Sequence, residues 1–161
     1  MEELSAVEDV VRVVFPSTMM SEGELLPAAF KLRDYNGVAE QYISVFRQYA
    51  ETFNADVLKF DKSRNLPCCI LNVGELKNIV LKLNGLYVKY DVKAVPTTVY
   101  PSHAGIYVCL GGKPIEGNGH GACTALGIGK DADFILLAIR RRLIDIAKKR
   151  VTTVSQLVTE S

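Results

Sequence analysis

The sequence predicts an α+β protein: a mainly antiparallel sheet with a central helix and a long C-terminal helix. Three observations predict it. Short apolar or alternating runs, bounded by Gly, Pro and Asn-Gly, recur up to Leu110. Helical spacing is clearest at residues 48–60 and 131–150. Strands therefore follow one another without the regular strand–helix alternation of a parallel sheet.

Residues 7–15 are rich in β-branched side chains and stop at Pro16, which predicts a strand. Residues 17–23 read as a loop and 25–32 as a short extended segment. Asp34-Tyr35-Asn36-Gly37 is turn chemistry, because Asn-Gly readily supplies positive φ. Residues 41–46 read as a strand. Residues 48–60 place Tyr49, Phe53, Val57 and Phe60 at spacings of three and four, a helix. After a polar break, the apolar run 67–73 predicts a buried strand. Residues 74–83 carry a stripe of Leu76, Ile79, Val80 and Leu83 and read as a short helix. Beyond Asn84-Gly85, residues 86–92 alternate, with Leu86, Val88 and Tyr90 against Tyr87, Lys89 and Asp91. Residues 95–101 form a loop and 103–110 a strand ended by Gly111-Gly112. In the last helix Ile135, Ile139, Leu143 and Ile146 make one face. Asp131 and Asp133 open it and Lys148, Lys149 and Arg150 close it, matching the helix dipole. Residues 151–161 read as a frayed tail or an edge strand.

The 161 residues fit one domain, 1–161, with a core of its own. Hydrophobic residues at 48% and charged residues at 23% are globular values. A net charge of +1 gives no global field for nucleic acid or anionic lipid. Tyr and Phe do not alternate with basic residues along the chain, so nucleic acid is not an expected partner. The first ten residues hold four acids and no base, unlike a secretory leader. The apolar run 134–139 is too short to span a bilayer, so no membrane association is expected. Four cysteines, mostly in apolar or small-residue contexts, fit reduced, buried thiols and a cytoplasmic location.

Residues 111–129 hold seven of the twelve glycines, which predicts a mobile loop or lid. A phosphate loop does not fit. Thr124 stands where its first Gly belongs, and Asp131 stands where its hydroxyl belongs. Gly117-Asn118-Gly119 and Gly127-Ile128-Gly129 complete no dinucleotide fingerprint. Cys68-Cys69 are adjacent, so on a strand they point to opposite faces. With Cys109, His120 and Cys123 they make no zinc set, and no metal is expected. Arg140-Arg141-Arg142 spread over a wide arc and read as a solvated helix face. His103 opens an apolar strand after Pro101-Ser102, at a sheet end where functional groups gather. Arg12 lies within an apolar stretch, so its guanidinium needs an acid, carbonyls, solvent or a bound anion. Arg12 and His103 are expected to meet at one end of the sheet.

Arg12 with Pro16, Gly23, Ala29-Phe30, Ser44-Val45 and Pro101-Ser102-His103-Ala104-Gly105-Ile106 resemble a loose family of small uncharacterised bacterial proteins. Those proteins are encoded near defence or mobile-element genes. The resemblance covers about residues 10 to 110, and its most specific piece is 101–106. It implies no particular activity; the leading expectation is an accessory or binding domain of a bacterial cytosolic, defence-related system, acting through a protein partner or a small ligand. The candidate ligand- or partner-binding residues are Arg12, Ser44, Ser102 and His103, with no cofactor. A fainter resemblance is to ADP-ribosyltransferases. It implies NAD as cofactor, with Arg12 on the pyrophosphate, Ser44 on the ribose and His103 beside the nicotinamide. The late Gln-x-Glu or Glu-x-Glu of those enzymes has no counterpart here.

Overall fold

The computed structural model describes residues 2–158. Its strands are Asp9–Val13 (β1), Met20–Ser21 (β2), Glu24–Leu25 (β3), Asp34–Tyr35 (β4), Val38–Ala39 (β5), Ile43–Arg47 (β6), Pro67–Asn72 (β7), Leu81–Leu83 (β8), Leu86–Ala94 (β9), His103–Leu110 (β10), Lys113–Pro114 (β11) and Val151–Thr153 (β12). The helices are Pro16–Met19 (α1), Phe53–Phe60 (α2), Val73–Lys77 (α3), His120–Ala125 (α4), Ala132–Ala147 (α5) and Val154–Leu157 (α6). Pro27–Phe30 and Gly129–Asp131 are 3₁₀ turns. The class is α+β, as the sequence predicts.

One antiparallel sheet runs in the order β12-β7-β1-β6-β10-β9-β8, with β11 paired to β10. Two small hairpins, β2–β3 and β4–β5, stand apart from it. The period of two sends alternate side chains to opposite faces. Val10, Val45, Cys69, Leu71, Val92 and Ile106 face one side, where Ile135, Ile139 and Leu143 of α5 pack on them. Burying each such aliphatic side chain contributes about 1.5–3 kcal/mol. The hydroxyl of Tyr90 donates to the Ile139 carbonyl at 2.8 Å, so its burial leaves no orphaned donor. Val11, Val13, Phe46, Cys68 and Ile70 face the other side, under Phe53 and Val57 of α2 and Val154 of α6. These two helices cover the half of the second face built by β1, β6 and β7. Over the half built by β8, β9 and β10, α3 touches β9 but buries its Val73 and Leu76 in the first core, and neither α2 nor α6 reaches that half in the second core.

Several local expectations give way to tertiary context. The segment read as a loop at 17–23 contains α1, started by Pro16, and the β2–β3 hairpin, turned by Glu22 and Gly23 at φ 52° and 80°. The segment read as extended at 25–32 is a 3₁₀ turn over Pro27–Phe30, because Pro27 presets the first helical φ. The central helix begins at Phe53, not at Gln48. The Gln48 amide donates to the Asp9 carbonyl at 3.1 Å, which keeps the chain beside β1. The helix read at 74–83 ends at Lys77, capped by Asn72, whose Oδ1 accepts from the Glu75 amide. Leu81–Leu83 instead pairs with β9 through Asn84-Gly85, both at positive φ. At the tail, 151–153 is an edge strand on β7 and α6 follows; residues 159–161 lie outside the described residues.

The Gly-rich segment holds β11 and α4 and is anchored at a few buried points, while most of its residues stay exposed. Ile115 and Cys123 are buried, and α4 occupies its centre. Gly119 sits at φ 83°, and a side chain there would run into Leu136 of α5. Gly117 sits at φ 56° against the carboxylate of Asp34. These two glycines permit close approach, which their number alone does not reveal.

Candidate functional site

Strands β1 and β6 pair only at Val10–Arg47 and Val11–Phe46. Beyond that point β1 stays with β7 up to Val13–Cys68, while β6 stays with β10 down to Ile43–Ile106. The ladder between β1 and β6 therefore parts, and carbonyls along the gap need other donors. Arg12 supplies one to Ser44 of β6 and ties the 3₁₀ turn Pro27–Phe30 to the same place. Its Nε donates to the Ala29 carbonyl at 3.1 Å and its Nη1 to the Ser44 carbonyl at 2.8 Å. Burial pushes this guanidinium below its ordinary pKa, with the field of Glu40 acting in the opposite sense. Among the described residues it forms no ion pair with a carboxylate.

Over this gap lies a cleft of about 240 Å³, lined by Arg12, Val13, Phe15, Ser44, Phe46, Phe60, Tyr100 and His103. None of these is an acid. Phe46 is the hub of the aromatic wall. Its ring centroid lies 5.7 Å from Phe60, 5.6 Å from Tyr100 and 6.3 Å from His103, each edge to face. Phe15 continues the wall at 5.9 Å from Phe60. Phe15 and Phe60 stay 42% and 39% exposed, so apolar surface remains at the cleft mouth. The site thus joins a partly desolvated cation to a rim of exposed rings.

His103 is held by one decisive bond. Its Nδ1 lies 2.9 Å from the Val95 carbonyl, which can only accept. Nδ1 therefore carries the proton, and in the neutral ring Nε2 is left as an acceptor. On its other side His103 meets Tyr42, with centroids 5.7 Å apart. Tyr42 lies over Gly105, where an ideal Cβ would stand 2.6 Å from the ring's Cγ. Gly105 thus provides the flat floor on which Tyr42 supports the imidazole.

The expected constellation is met in part. Arg12, Ser44 and His103 line one cleft. Alternation directs Arg12 and His103 to opposite faces of the sheet, and they come together only because the ladder opens between them. Ser102 is outside the cleft and fully buried. Its amide and its hydroxyl donate to Asp56 Oδ2 at 2.8 and 2.6 Å, and Thr52 donates to the same oxygen at 3.0 Å. Ser102 and Asp56 anchor the start of α2 to β10. Sequence reasoning passed over Phe15, Phe46, Phe60 and Tyr100. The usable signal was four rings close to Pro16, to the ends of two predicted elements and to Pro101.

Cys68 and Cys69 do face opposite sides, one in each core. Burial pushes their thiols up to about 11 and about 12. His120 faces Asp133 at 2.9 Å on the surface, across the start of α5 and away from the cleft. No helix among the described residues is long and apolar enough to cross a membrane. Compared with known protein families, curated proteins and solved structures, the chain matches none.

Proposed function

We propose that the chain is a binding domain whose cleft takes an anionic group carried on an aromatic or apolar body. The body belongs to a small ligand or to an anchoring side chain of a protein partner. One observation carries this reading: the Arg12 guanidinium opens on an aromatic cleft that no carboxylate lines. A guanidinium has five N–H donors, and two of them are spent on the Ala29 and Ser44 carbonyls. A charge left this way is costly unless something answers it. His103 adds an acceptor, so a ligand with a donor next to its acid would satisfy both groups. The volume of about 240 Å³ is below the roughly 300–1,000 Å³ of ordinary small-molecule pockets and suits a ring-sized group.

The same three residues support a second reading, an NAD-using enzyme of the ADP-ribosyltransferase type. Their convergence favours it. The cleft volume does not fit a whole dinucleotide, and no acid lines the cleft to assist glycosidic cleavage. Binding is therefore the leading reading.

The test is a thermal-shift and calorimetric screen at neutral pH with aromatic carboxylates, mononucleotides, NAD and inorganic phosphate. A ligand that binds only the folded chain raises Tm. Aromatic anions should do so, and Phe60→Ala should abolish the effect with little loss of stability. No shift across the panel, or an equal shift with phosphate alone, refutes the reading. Release of nicotinamide from NAD would instead establish the enzyme.

A further inference from the structure

We propose that the open half of the second sheet face binds single-stranded nucleic acid. This goes beyond the cleft reading and rests on different residues. Register places Lys82 opposite Tyr87 on β8 and β9, and Lys93 lies over Tyr107 of β10. The Lys82 ammonium stands 5.2 Å from the Tyr87 ring centroid, and the Lys93 ammonium 5.1 Å from that of Tyr107. Along the chain these rings and cations do not alternate. Across the strands they do.

The Tyr87 ring is 58% exposed, and the Tyr107 ring is half-buried beneath its lysine. An exposed cation–π contact is weaker than the stacking of a base on an aromatic ring, so a base displaces the lysine. The freed ammonium then stands beside the phosphate that follows the base. Lys89, on the same face of β9, adds a third cation. Two acids share this face. Asp91 and Glu3 share Lys77, at 3.8 and 3.3 Å, which offsets one of the two charges and leaves Lys82, Lys89 and Lys93 in excess. The net charge of +1 for the whole chain hides this local excess of cations.

The same features argue against the competing occupants. Lysine is depleted at protein–protein interfaces, yet here each ring carries one. A duplex offers no free base faces, and this surface presents no helix to a groove. Tyr87 is 58% exposed, so it can be changed without disturbing the core.

The experiment is fluorescence anisotropy of the full chain with labelled dT15, rU15 and a 15-base-pair duplex across a salt series. Both single strands should bind, and the duplex at least tenfold more weakly. Three phosphate contacts give a log–log salt slope of about −2. Tyr87→Ala and Tyr107→Leu should each weaken binding about tenfold with the slope unchanged. Lys93→Ala should make the slope shallower by about 0.7. A preference for dT15 or rU15 identifies which single strand is used and supports the proposal either way. Phe60→Ala, which tests the cleft, should leave strand binding within twofold. No binding at 50 mM salt overturns the proposal. So does equal affinity for duplex, or tyrosine variants that bind like the parent at unchanged Tm. Self-association lost in Tyr87→Ala would assign the face to a second copy and also overturn it.

Discussion

Gly105→Ala tests whether the Tyr42 platform beneath the cleft is built as described. The new Cβ would lie 2.6 Å from Tyr42 Cγ, 2.7 Å from Cδ2 and 2.9 Å from Cβ. That is about 1 Å short of the 3.5–4.0 Å at which carbon atoms attract. The ring must move, since Gly105 is held in mid-strand by pairing with both Ser44 and Lys93. Overpacking of this kind costs about 1–3 kcal/mol. Gly105 does not sit at positive φ, so alanine is tolerated by the backbone and recovers about 0.4–1 kcal/mol through the unfolded chain. The net loss should be about 0.5–2 kcal/mol, or roughly 1–8 °C in Tm for a chain of this size. Urea melts of the parent, Gly105→Ala, Tyr42→Ala and the double variant complete a cycle. With the ring gone, Gly105→Ala should be neutral or stabilising, giving a coupling of about 1–3 kcal/mol. An equal cost in both backgrounds would refute the arrangement of Tyr42, Gly105 and His103.

Other consequences are equally open to measurement. Asp56→Ala leaves the Ser102 amide and hydroxyl without their acceptor and should lower stability by about 2–4 kcal/mol, with Ser102→Ala costing about 1 kcal/mol; similar losses in urea melts would contradict the central role of Asp56. Of the four free thiols, half-exposed Cys109 should react quickly with an aromatic disulfide reagent at pH 8, and Cys68, Cys69 and Cys123 only on unfolding; two or more fast thiols in the folded chain would count against the described burial. The raised thiols also set an alkaline limit. Unfolded thiols lose protons from about pH 9 while Cys68 and Cys69 hold theirs to about 11 and about 12, so stability is full below pH 9 and falls between 9 and 12. Each thiol contributes up to about 1.4 kcal/mol per pH unit, and Cys68→Ala should flatten the decline; an unchanged slope would rule the linkage out.

The strands that build the frame are legible because their signals are local. The alternation of Leu86, Val88 and Tyr90 depends only on neighbours, and the apolar run before Gly111-Gly112 ends where β10 ends. The misread segments are those in which a distant partner decides. Leu81 and Leu83 satisfy a helical stripe and a strand equally well, and only the Asn84-Gly85 turn back onto β9 selects the strand. Gly119 reads as freedom in a line of glycines, yet its lack of a side chain is what lets α5 approach through Leu136. Glycine density records where side chains are absent, and both mobility and tight packing produce that pattern.

The candidate site shows the same division. Arg12 stands out in sequence because a charge within Val10-Val11-Arg12-Val13-Val14 needs an answer. What answers it cannot be read from the chain, since Ala29 and Ser44 reach it only after β1 and β6 part. That parting also explains why Arg12 and His103 share a cleft although alternation sends them to opposite faces. In an unbroken ladder the sheet itself would separate them. The guanidinium therefore serves the fold and the cleft at once. One donor answers Ser44 on the open ladder, another holds the 3₁₀ turn at Ala29, and the charge gives the aromatic wall its positive pole. An apolar residue in its place would leave two carbonyls without donors, whereas a lysine would keep the charge but lose the planar fork that reaches both. The parted ladder creates the demand for arginine, and the cleft takes its chemistry from how that demand is met.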